Sequence, residues 1–281
     1  METFWRTIAY YNAATWGWQL LLILAGICLT VQLVRRPAPW VKRAMKVYLA
    51  VLYLWIAVVY YFVCCRERDY NEVMALFWAL PAAIWVWDLA TGYTTFERSH
   101  KYDVAACVLL SMPSLYPLIS LARGLTFPMT TSPVMPCSVS VFTIGLLLFF
   151  ARRVNLFLVL LLCHWALIGL TKAESFHIPE DFVLVATAIP GLYLFFKERY
   201  LTNLRRPTKP KAKYIDALLI AVCISLAILL LATMVSTLFS TCDKMSVTYL
   251  PERTPRFGTL FEEWIAESPE RVPIKQAFQI T

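Results

Sequence analysis

Long apolar runs separated by short loops dominate this chain. They lie at 16–34, 45–65, 73–91, 104–122, 134–151, 154–171, 182–196 and 215–239. A helix crossing a hydrocarbon core of roughly 30 Å needs about 20 such residues. In lipid the backbone must satisfy its own polar groups, so runs of this length read as helices and not as barrel strands. The pattern predicts an all-α, polytopic transmembrane bundle of about eight helices.

The loops orient the bundle. Arg35, Arg36, Lys42, Arg43 and Lys46 separate the first two runs. Two loops later come Arg98 and Lys101, then Arg152 and Arg153, and then the linker from Lys197 to Lys213, rich in Lys and Arg. The intervening loops are poor in basic residues. They hold Arg66 and Arg68 offset by Glu67, Asp69 and Glu72, then Arg123, then Lys172, with Arg6 alone before the first run. Basic loops stay cytoplasmic, which puts both termini outside. The start of the chain lacks the basic n-region of a cleaved signal peptide. Phe4, Trp5, Tyr10, Tyr11, Trp16 and Trp18 suit an aromatic belt at the outer interface.

Composition agrees. The chain has 281 residues, of which 59% are hydrophobic and only 16% charged, against about 25% charged in soluble domains. Its net charge of +8 sits in membrane-flanking loops, so it points to topology and anionic head groups and not to nucleic acid. Residues 1–200 read as a seven-helix membrane core, 201–240 as a basic linker with an eighth helix, and 241–281 as a polar outer tail. In that tail Phe257, Leu260, Phe261, Trp264 and Ile265 share one helix face. Residues 257–265 are thus a candidate docking surface for a protein partner, beside the membrane lipids themselves. The loop Arg123–Met135, with Pro128 and Pro133, reads as an outer cap, with a partly re-entrant segment as the alternative.

Ionisable residues inside apolar runs are functional candidates. His164 is the only histidine in such a run, and Cys163 and Trp165 flank it. It is expected to line an internal cavity. Asp88 lies near the cytoplasmic end of the third run, within reach of Lys101, Arg152 or Arg153, and a structural pairing is the first reading. Glu180 and Asp181 follow His177-Ile178-Pro179 and read as a helix start whose acids suit the positive dipole end. Cys64, Cys65, Cys137 and Cys242 fall near the outer interface, where disulfides, free thiols or a soft metal are the options. No CxxC or spaced Cys/His set favours the metal. Ser138, Ser140 and Thr143 follow Cys137, and Asn12, Gln19 and Gln32 accompany the first run; all can bond within a bundle. There is no HExxH, GxSxG or Gly-rich phosphate loop, so no catalytic residue, cofactor or metal is assigned.

Several segments together resemble an uncharacterised bacterial membrane family, the domain of unknown function 6064. They are Phe4-Trp5, Tyr11-Asn12-Ala13 with Trp16, the stretch Leu54 to Tyr61, Met135-Pro136-Cys137, Val141 to Leu146, Trp165 to Gly169, and Pro179-Glu180-Asp181. The likeness covers about residues 1–200, and its specificity lies in the order and spacing of the motifs. Relatives often carry Tyr-His where this chain has Tyr60-Tyr61, so a site built on that histidine does not carry over. The resemblance implies a bacterial integral membrane protein and brings no activity, substrate or cofactor. Within it, Pro136-Cys137 with Thr143, His164-Trp165 and the Pro179-Glu180-Asp181 turn are expected to converge. The leading expectation is a non-enzymatic inner-membrane protein that binds or moves a small solute or lipid. A scaffold acting through the outer tail and an embedded enzyme centred on His164 are the alternatives.

Overall fold

The computed structural model describes residues 2–66, 68, 71–98, 100, 102–153, 155–175 and 181–186. The expected eighth helix, the basic linker and the outer tail with residues 257–265 lie outside the described residues, as does most of the 182–196 run. Within them the chain is mainly helical, and four segments are long and apolar enough to cross a membrane: Phe4–Arg35, Pro39–Cys64, Asn71–Thr91 and Asp103–Ala122. Pro136–Phe150 and Phe157–Ala166 are apolar but shorter.

Helix α1 (Glu2–Arg35) begins well before the apolar run that announced it. At 1.5 Å per residue it is about 50 Å long, more than a bilayer core. Its two halves differ in environment. Trp5, Ile8 and Tyr11 are buried, whereas Trp16, Trp18, Leu21, Leu24 and Ile27 are exposed. Phe4, Trp5 and Tyr11 are therefore core residues and not interface anchors, because α1 packs its first turns against the rest of the protein.

Helix α2 (Pro39–Trp55) starts on a proline in its first turn, where the missing N–H costs nothing. It runs on without a break into a π-helical segment, Ile56–Cys64. The Cys65 N–H donates to the Tyr60 carbonyl five residues back at 3.0 Å. Such π segments are rare and concentrate at functional sites. Helix α3 (Asn71–Thr91) follows and stops at Gly92, whose φ of 64° suits a residue without Cβ.

The fourth span is broken. Helix α4 (Asp103–Ser111) and helix α5 (Leu115–Ala122) are joined by a 3₁₀ turn, Met112–Ser114, with Pro113 at its centre. Proline cannot continue the i to i−4 ladder, so the helix tightens there. After the loop comes α6 (Pro136–Phe150), apolar on every side and buried along its whole length except for the partly buried Phe142. A helix hydrophobic all round belongs in a core. Gly145 permits this position, since a Cβ there would lie 2.9 Å from the Leu109 Cβ and 3.0 Å from the Leu110 backbone nitrogen. Helix α7 (Leu156–Ser175) completes the series.

The architecture departs from purely helical at one point. Strand β1 (Thr95–Phe96) pairs antiparallel with β2 (Ala151–Arg153), Thr95 opposite Arg153 and Phe96 opposite Ala151. This short ladder ties the α6–α7 connection to the α3–α4 connection.

Candidate functional site

Three buried polar arrangements organise the described core. The first is a socket on α1. The Asn12 Nδ2 donates to the carbonyls of Pro128 at 2.8 Å and Thr130 at 2.6 Å. The Gln19 Nε2 donates to the Asn12 Oδ1 at 3.2 Å and to the Thr15 Oγ1 at 2.8 Å. The Ser132 hydroxyl donates to the Gln19 Oε1, and the Tyr11 hydroxyl donates to the Val134 carbonyl at 2.8 Å. One turn-spaced polar edge of α1 therefore holds residues 128–134 as a strap. Thr131, Ser132 and Val134 are buried, while Phe127 remains exposed. Residues 128–134 of the loop are packed against α1.

The second is an ion pair. The Lys46 Nζ lies 3.0 Å from the Asp88 Oδ2, and both side chains are buried. The same nitrogen donates to the Asp88 carbonyl at 3.2 Å, and the Asp88 Oδ1 accepts the Thr94 N–H at 2.7 Å. Asp88 thus pairs with Lys46 of α2; of the partners expected, Lys101 and the side chains of Arg152 and Arg153 lie outside the described residues. α2 and α3 lie side by side, and that brings Lys46 to Asp88. Its role is to pin two helix ends and the turn after α3.

The third is an aromatic centre. Trp78 is stacked on Tyr53 (5.5 Å between ring centroids) and on Tyr61 (6.4 Å), and meets Trp165 edge-on at 5.0 Å. Tyr61 also meets Trp165 at 6.2 Å and Tyr60 at 5.0 Å, and Tyr60 meets Tyr11 at 5.0 Å. Offset and edge-on geometries of this kind each add about 0.5–1.5 kcal/mol beyond burial. Within this centre the Tyr61 hydroxyl and the Trp78 Nε1 are buried without a hydrogen-bond partner. Cys65 and Cys137 lie close to both Tyr60 and Tyr61.

The residues singled out from sequence sort as follows. Trp165 is 1% exposed, while His164 on the same helix is exposed and touches the Phe77 ring at 5.8 Å. The histidine expected to line a cavity turns outward, and its neighbour occupies the interior. Trp165 meets the Tyr61 ring, and Cys137 also lies near Tyr61. Thr143 joins them at one remove. It accepts from the Tyr53 hydroxyl at 2.9 Å, and Tyr53 stacks on Trp78. Asp181 is buried in a helical stretch at 181–186 whose Leu184 lies against Gly169 of α7. Glu180 lies outside the described residues. Asn12 belongs to the strap socket and Asp88 to the ion pair.

Among the described residues Cys64, Cys65 and Cys137 form no disulfide, and Cys242 lies outside the described residues. Among the described residues no group of three or more His, Cys, Asp or Glu is arranged to hold a metal ion. Sequence reasoning missed Lys46 as a partner, and it missed Tyr61, Trp78 and Arg68. The available signal was Tyr60-Tyr61 four residues ahead of Cys64-Cys65 at the end of an apolar run.

What these elements define is a helical protein with four helices long and apolar enough to cross a membrane, packed with an aromatic centre that holds unpartnered hydrogen-bond donors. The chain belongs to DUF6064, a family of unknown function whose model matches residues 1–206. No curated protein matches it, and no solved structure does.

Proposed function

We propose that this is an inner-membrane protein of a bacterium, with about eight spans and both termini outside, that binds or moves a small solute or lipid through its core. The observation that carries the binding reading is the pair of unpartnered buried donors, the Tyr61 hydroxyl and the Trp78 Nε1. Each such group costs about 1–3 kcal/mol when it is left unmade. A π-helical segment supplies one of them, and the stacked Trp78 the other. An acceptor lodged between the aromatic faces relieves both. The free groups are hydrogen-bond donors and π surfaces, which suits recognition more than bond-breaking chemistry.

The test is direct. Full-length protein purified in mild detergent is examined by native mass spectrometry for a retained small molecule. The expected result is a bound species whose occupancy falls at least tenfold in Tyr61→Phe, a change that removes one oxygen and keeps the ring. Wild-type protein that is empty after gentle extraction, and indistinguishable from Tyr61→Phe, ends the proposal.

A second reading, a scaffold, is favoured by one feature. Trp16, Trp18, Leu21, Leu24 and Ile27 form a bare stretch of α1, suited to lipid or to a helix of another protein, and the outer tail would add to that surface.

A further inference from the structure

We infer that Arg68 and the hydroxyls of Tyr60 and Tyr61 form a receptor for one oxyanion, a carboxylate or phosphate carried by the bound molecule; this rests on the solute-binding reading above.

Arg68 follows the π-helical segment directly, its N–H bonded to the Cys65 carbonyl at 2.9 Å. Its guanidinium is partly buried, and among the described residues its partners are neutral. The Nη2 donates to the Phe4 carbonyl at 3.2 Å, the Cζ sits 4.5 Å above the Phe4 ring, and the side chain bonds the Tyr60 hydroxyl. A guanidinium has more donors than these partners use, and among the described residues no carboxylate pairs with it. A charge drawn into the protein is costly until an opposite charge meets it. Beside it stands Tyr61, its ring 5.0 Å from that of Tyr60 and its hydroxyl buried and unpartnered.

The two vacancies have different demands. A neutral acceptor satisfies Tyr61 and leaves Arg68 with neutral partners only. An oxyanion satisfies both, because its two oxygens accept from the planar fork and from a phenol together. The position fits as well. Arg68 lies just beyond the end of the Pro39–Cys64 span, at the depth where a lipid head group or the charged end of a soluble molecule sits.

The experiment uses the full chain in nanodiscs and follows its thermal unfolding midpoint. One arm compares phosphatidylcholine discs with discs containing phosphatidylglycerol. The other adds sodium phosphate or sodium acetate to phosphatidylcholine discs, with sodium chloride at matched ionic strength as control. A rise in one arm or the other is expected, and the arm that responds names the source of the anion. The apparent affinity should fall at least tenfold in Arg68→Gln and in Tyr61→Phe, and less in Arg68→Lys, which keeps the charge and loses the fork. No specific rise in either arm overturns the inference, as does an equal rise in Arg68→Gln that has folded to the wild-type midpoint. A retained neutral species that Tyr61→Phe loses and Arg68→Gln keeps overturns the oxyanion and leaves the binding reading intact. If Arg68→Gln fails to fold, Arg68→Lys and Tyr61→Phe decide the matter by the same criterion.

Discussion

At the scale of single residues, the buried pair Lys46–Asp88 gives the sharpest prediction. Its contacts combine charge, a backbone carbonyl and the Thr94 N–H. Removing one member leaves the other charge buried and alone. We expect Asp88→Ala or Lys46→Met to lower stability by about 3–5 kcal/mol, and the double variant Lys46→Met/Asp88→Leu to recover much of the loss. Denaturant unfolding in micelles, read by near-ultraviolet circular dichroism, checks this. Additive losses in the double variant count against a coupled pair. Asp88 was visible from sequence as an ionisable residue in an apolar run, but its partner was not. Lys46 lies 42 residues away, and only the packing of α2 on α3 brings it near. His164 and Trp165 show the same limit. Adjacent helical positions diverge by about 100°, so one faces inward and the other out. Residue type alone favoured the histidine, and neighbouring helices put the tryptophan inside.

At the scale of elements, α1 and the strap belong together. Asn12, Thr15 and Gln19 sit on one edge of α1, where a single-pass reading sees polar residues at a helix margin. The structure shows Asn12 donating to two carbonyls of the strap and Gln19, held by Thr15, accepting from the Ser132 hydroxyl. Asn12→Ala leaves two carbonyls without their donor and deprives Gln19 of an acceptor. The expected cost is about 1–3 kcal/mol, with faster hydrogen exchange confined to 126–134. Exchange that is unchanged there, with the fold intact, means that the strap is held by packing alone. The π-helical segment was hidden for a related reason. Ile56–Cys64 is uniformly apolar and aromatic, so nothing in its pattern distinguishes a π ladder from an α ladder. The early start of α1 was hidden because its first turns carry Glu2, Arg6 and Asn12 among aromatics, which resembles an interface more than a buried helix.

For the whole molecule, charge asymmetry yields a topology that can be checked apart from any activity. With both termini outside, alkaline phosphatase fused after Thr281 should be active and a fluorescent protein fused there dark, and the same should hold for fusions at the N-terminus. The opposite pattern at either end removes the eight-span arrangement. The family match over residues 1–206 agrees with the family resemblance read over about residues 1–200. Sequence by itself determined that the chain is helical, with helices long and apolar enough to cross a membrane, since apolar runs of bilayer length and sparse charge leave few alternatives. It also marked most of the span positions, because transfer free energy is nearly a local sum over residues. Tertiary structure alone decided which groups meet: Lys46 with Asp88, Asn12 with the strap, and Trp78 and Trp165 with Tyr61. Those encounters depend on helix rotation and register, and a stretch apolar on every side carries no periodic signal from which either can be read.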